Sequence, residues 1–67
     1  MKILYKIQEI RTAQNITLRE LSKKTGISHG YLNEIENNLK QPSFLKMVLI
    51  AKALKVQLYD LYEEKRD

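Results

Sequence analysis

No cysteine occurs among the 67 residues, which removes disulfide staples and thiolate metal sites together and fits a reducing compartment. The single histidine, His29, is too little for an imidazole-built zinc site. Pro42 is the only proline, and Gly26 and Gly30 are the only glycines. No apolar run approaches the ~20 residues needed to cross a bilayer, and the N-terminus lacks the arrangement of a secretory leader. The sequence therefore reads as cytoplasmic, with no membrane partner. β-branched residues never alternate in a sustained period of two, so strands are not expected and the fold class reads as all-α. A chain this short, without a staple, must draw its stability from helix packing or from association with another chain.

An enzyme fits poorly. His29 has no spaced acid and nucleophile around it, and a domain of this size leaves little room for a cleft. No cofactor and no small-molecule ligand is indicated. Charge is more informative. Residues 1–58 hold ten Lys or Arg against four Glu, whereas residues 59–67 hold two against four acids. The first part suits a polyanion and the second does not.

The chain reads as one domain, 1–67, with helices at about 3–14, 18–25, 29–37, 44–54 and 58–64. Ile3, Ile7 and Ile10 mark the first helix by their spacing, and Gln14-Asn15 ends it. Thr17-Leu-Arg-Glu20 has the form of a capping box and opens the second. Gly26 supplies the left-handed residue that closes that helix, and Ser28 caps the third. Two helices joined by so short a turn must cross steeply, which is a helix-turn-helix. Asn37-Asn38 ends the third helix, and Ser43 caps the fourth. Phe44, Met47, Ile50, Ala51 and Leu54 trace one inward face of that fourth helix. Val56, Leu58 and Leu61 anchor a short fifth, and the charged end EEKRD is expected to fray.

The run IRTAQNITLRELSKKTGISHGYLNEIENN, followed in order by PSF, IAKAL and V-x-L-x-x-L, resembles the DNA-binding domain of lambdoid phage repressors and Cro proteins, the Xre family. The resemblance covers about residues 4–61. It implies a compact five-helix, lambda-repressor-like domain that lays its third helix in the major groove of double-stranded DNA. Four positions depart from the family pattern. Leu18 replaces a glutamine, Ser22 a small residue that is often alanine, and Asn38 and Lys55 replace glycines.

By position, the resemblance makes Ser28, His29, Gly30, Asn33 and Glu34 the base-contacting residues. Asparagine can pair with adenine and glutamate can accept from cytosine N4. His29 could meet guanine or a phosphate, and Gly30 lets the backbones approach. The plain alternative is an exposed helix face of ordinary polar residues. Phosphate contacts are expected from Thr17, Leu18 and Arg19 on one side and from Asn37, Asn38, Lys40, Gln41, Ser43 and Phe44 on the other. Lys23 and Lys24 are equally readable as solvated lysines. The resemblance also implies a largely buried structural ion pair between Arg11 and Glu36.

Leu45 and Leu49 lie one turn apart on a face of the fourth helix that the core does not need, at positions where the family commonly has polar residues. Together with Tyr59 and Tyr62 they are expected to form a homodimer interface. The tyrosines are scattered over different helices and read as packing rather than a base-stacking platform. The function this implies is a sequence-specific transcriptional regulator, a repressor, reading an inverted repeat. An antitoxin-like or adaptor module of the same fold is the rival, since fold does not fix function.

Overall fold

The computed structural model describes residues 1–66; Asp67 lies outside the described residues. The order of elements is β1 (Lys2–Tyr5), α1 (Ile7–Ala13), α2 (Leu18–Thr25), α3 (His29–Glu36), α4 (Phe44–Leu54), a 3₁₀ turn (Leu58–Leu61) and β2 (Tyr62–Lys65). Ile7, Leu21, Leu32, Ile35, Ile50, Leu54 and Leu61 are fully buried and draw every helix and the 3₁₀ turn onto one core.

The expected all-α, five-helix class needs correction. Four α-helices are present, and the two ends of the described chain pair as an antiparallel ribbon, Lys2 with Lys65 through Tyr5 with Tyr62. The first helix begins at Ile7 rather than residue 3. Ile3 matches the helical spacing by coincidence, because Ile3 and Tyr5 suit a strand as well as a helix and have a partner strand within reach. At the boundary, the Lys6 N–H donates to the Leu61 carbonyl at 2.7 Å. The expected fifth helix, 58–64, stops after one 3₁₀ turn and continues as β2, so Glu63, Glu64 and Lys65 are paired strand residues. Both strands have four residues, and β2 is exposed throughout. No inside-outside alternation was therefore available to reveal them.

The helix boundaries have local causes. Thr17 Oγ1 accepts from the Glu20 N–H at 3.1 Å while the Glu20 carboxylate accepts from the Thr17 N–H at 3.0 Å. The backbone and hydroxyl of Thr17 hold the Glu20 carboxyl below its ordinary value, with Lys24 and Lys23 adding to the effect. Ser28 and Ser43 cap α3 and α4 through the N–H groups of Tyr31 and Lys46. Phe44 does not face inward as its spacing predicts. It is the first residue of α4, set beyond the reach of the core, and 73% exposed.

Three non-glycine residues hold a left-handed backbone: Asn15, Asn38 and Lys55. Asparagine tolerates that region; lysine gains nothing from it. Lys55, at φ 58°, ends α4, where the Val56 N–H reaches the Ala51 carbonyl at 3.1 Å to close the helix. Lys55→Gly is expected to stabilise the domain by about 0.5–1 kcal/mol, the relief of left-handed strain less the greater freedom of unfolded glycine. Urea denaturation checks this, and a loss of stability would show that the lysine side chain contributes more than its backbone costs.

Candidate nucleic-acid interface

The turn between α2 and α3 is pinned from both sides. Gly26, at φ 77°, reverses the chain. The Ser22 hydroxyl donates to the Ile27 carbonyl at 2.6 Å, and the Thr25 hydroxyl donates to the Leu21 carbonyl at 2.8 Å while accepting from the Ile27 N–H at 3.1 Å. Ile27 is buried beneath the turn. The angle between the two helices is thus fixed by hydrogen bonds as well as packing. Sequence reading treated Ser22 only as a departure from alanine. Its hydroxyl has a specific acceptor, which only the folded turn reveals.

α3 is anchored on one side by Leu32, Ile35 and Glu36, all buried. On the other side Ser28, His29, Gly30 and Asn33 are exposed, and Glu34 is half-buried. The five predicted base-contacting residues therefore lie on the part of α3 that the core leaves open. Asn33 is also oriented: the Asn37 amide donates to its side-chain oxygen at 3.2 Å and to its carbonyl at 2.9 Å. Asn37 is thus engaged with Asn33, beyond the phosphate role expected of it. A Cβ placed on Gly30 would meet nothing within 4 Å. Nothing in the free domain requires a glycine there, although glycine weakens a helix interior.

The expected phosphate-contacting residues flank this helix at two places. Thr17 and Arg19 are exposed at the start of α2, whereas Leu18 is half-buried against the core. Leu18 can therefore offer an anion its backbone N–H but no polar group. Asn37, Asn38, Lys40, Gln41, Ser43 and Phe44 are all exposed between α3 and the first residue of α4. Lys23 and Lys24 are exposed in the last turn of α2.

Arg11 and Glu36 stand apart from this surface. The guanidinium makes a two-pronged contact, Nε to Oε2 at 2.8 Å and Nη2 to Oε1 at 3.0 Å. Its third hydrogen bond, Nη1 to the Ile16 carbonyl, is 3.0 Å long. Both side chains are nearly buried, at 11% and 3% exposure. The pair ties α1 and the segment before α2 to the end of α3.

The four residues expected at a dimer interface are not gathered as the sequence implied. Leu45 and Leu49 line a groove of about 310 Å³ with Ile27, Ser28, Tyr31 and Lys46. Tyr59 and Tyr62 do not line it and do not share a helix; Tyr59 is in the 3₁₀ turn and Tyr62 begins β2. Leu45 and Tyr59 are both highly exposed, Tyr62 borders on half-buried, and Leu49 is half-buried. Among the described residues no cluster of His, Cys, Asp or Glu could hold a metal ion, and no helix is long and apolar enough to cross a membrane.

Comparison with known proteins places this arrangement. A family model described as helix-turn-helix matches residues 7–61. The HTH-type transcriptional regulator SinR of Bacillus subtilis is 32% identical over 63 residues, covering 92% of this chain and 57% of that protein. An uncharacterized HTH-type transcriptional regulator of Mycobacterium tuberculosis is 36% identical over 56 residues, covering 84% of this chain and 40% of that protein. The chain thus spans roughly half the length of these relatives or less. Among solved structures, the N-terminal DNA-binding domain of SinR from Bacillus subtilis superposes with a TM-score of 0.80 at 32% identity, covering 92% of this chain and 91% of that one. The fold and the placement of its helix-turn-helix agree with these matches: the chain belongs to the Xre-type helix-turn-helix family.

Proposed function

We propose that this chain is a sequence-specific, double-stranded-DNA-binding transcriptional regulator that represses by occupying an inverted repeat as a homodimer. The observation that carries the reading is the open side of α3. Its Ser28, His29, Gly30 and Asn33 are exposed, while Leu32, Ile35 and Glu36 fix the helix from behind. An N-terminal stretch of a helix held this way can enter a major groove with its polar side chains against base edges. The start of α2 and the segment 37–44 lie on the two flanks where backbone contacts align such a helix. Gly30 supports the same reading, because the free domain has no use for the missing side chain and a close approach of DNA does. The exposed Leu45 and the half-buried Leu49 supply apolar area for a second copy.

Selection of bound sequences from a random duplex pool tests the whole reading. The expected product is a half-site repeated in inverted orientation, its centres about 34–36 Å apart along one face of the duplex. With that duplex, Asn33→Ala is expected to relax preference at one base position by about 1–3 kcal/mol, while Lys40→Ala weakens every sequence alike. Equal, uniform losses from both variants would remove α3 from the groove. Recovery of a single unrepeated half-site would remove the homodimer.

A further inference from the structure

Tyr31 sits between Gly30 and the base-facing Asn33 on α3, and it carries two lysines. The Lys46 ammonium lies 4.4 Å from the centre of its ring and that of Lys40 lies 5.4 Å from it. An aromatic face attracts an ammonium group, so one ring gathers a cation from α4 and another from the loop before it. The two charges are thereby held within about 10 Å of each other, one Debye length at 0.1 M salt. Among the described residues no salt bridge engages either lysine. Lys46 also stands in the first turn of α4, the end of a helix dipole that disfavours a cation, and no acidic residue accompanies it there. The free domain thus concentrates positive charge beside α3 without neutralising it.

We infer that Tyr31, Lys40 and Lys46 form one phosphate clamp, in which the ring holds both ammonium groups against a DNA backbone phosphate at the edge of the groove that α3 enters. This rests on the DNA-binding reading above and adds Lys46 and Tyr31 to the interface. Tyr31 is half-buried, and its own N–H is tied to the cap of α3, so the ring has a fixed seat. The bound phosphate supplies the negative charge that is otherwise missing, and the contact carries no base preference.

Fluorescence anisotropy with the selected duplex and with a scrambled one, between 50 and 200 mM KCl, tests the clamp. Lys46→Gln is expected to weaken both duplexes by the same factor, roughly 5–10-fold at 0.1 M salt, and to reduce the salt slope by about 0.9, the signature of one lost phosphate contact. Lys46→Arg is expected to keep the slope. Tyr31→Phe, which retains the ring, is expected to bind as wild type, and Tyr31→Leu to weaken both duplexes alike. Thermal melting of each variant separates a loss of contact from a loss of fold. Wild-type binding with an unchanged slope in Lys46→Gln would overturn the clamp alone. A wild type that binds no duplex would overturn the clamp and the regulator reading together.

Discussion

Arg11→Ala is expected to destabilise the domain by about 3–5 kcal/mol, because it strands the Glu36 carboxylate at 3% exposure with both of its partners gone. The Ile16 carbonyl loses its donor in the same step. In a domain of this size each kcal/mol moves the melting temperature by roughly 4–8 °C, so the loss approaches the whole stability of the fold. Glu36→Ala should cost a similar amount, since the guanidinium is then left nearly buried. The pair Arg11→Met with Glu36→Leu should recover much of the loss, because the charges are costly to desolvate and their net contribution is small when both are present. Chemical denaturation of the four proteins checks this. A single variant within about 1 kcal/mol of wild type would show that the pair is solvated as an ordinary surface contact is.

Affinity for the selected duplex is expected to fall by ~10³–10⁵ between 50 and 200 mM salt if the dimer neutralises roughly 6–10 phosphates. Such a number requires several contacts from each protomer. The exposed residues at the start of α2, the segment 37–44 and the lysines around Tyr31 together supply enough donors. The driving force is the release of condensed counterions, so the slope counts contacts whether or not the sequence is the preferred one. A slope corresponding to one or two phosphates would confine the interface to a single flank of α3. It would also remove the other flank from the proposal.

What could be read before folding was whatever depends on neighbours in the chain. The capping box at Thr17, the left-handed Gly26 and the cap at Ser28 each act within a few residues, and each occurs where the sequence placed it. Met47, Ile50, Ala51 and Leu54 likewise face the core as their spacing requires. The misreadings belong to contacts between distant residues. β1 and β2 are too short for a periodic signal, and each depends on a partner from the far end of the chain. Val56-x-Leu58-x-x-Leu61 buries its last leucine, yet that much is as compatible with one 3₁₀ turn as with a helix. At the interface, composition and resemblance pointed to α3 and its flanks. They did not reveal the Ser22 hydroxyl on Ile27 or the Lys46 ammonium over Tyr31, because both depend on the angle at which elements meet.

The terminal ribbon also governs how the domain answers a pull. Lys2 faces Lys65 at its open end, and Tyr5 faces Tyr62 next to the core. Chain continuing from these two ends would leave side by side, with the backbone hydrogen bonds lying across the strands and along the direction of separation. Tension applied there opens the pairs one after another, as a zipper opens, and never loads them all at once. The Lys6 N–H on the Leu61 carbonyl is the next tie in line. The helices that carry α3 feel the force only after these bonds have parted, so the ribbon works as a mechanical fuse in front of the recognition surface.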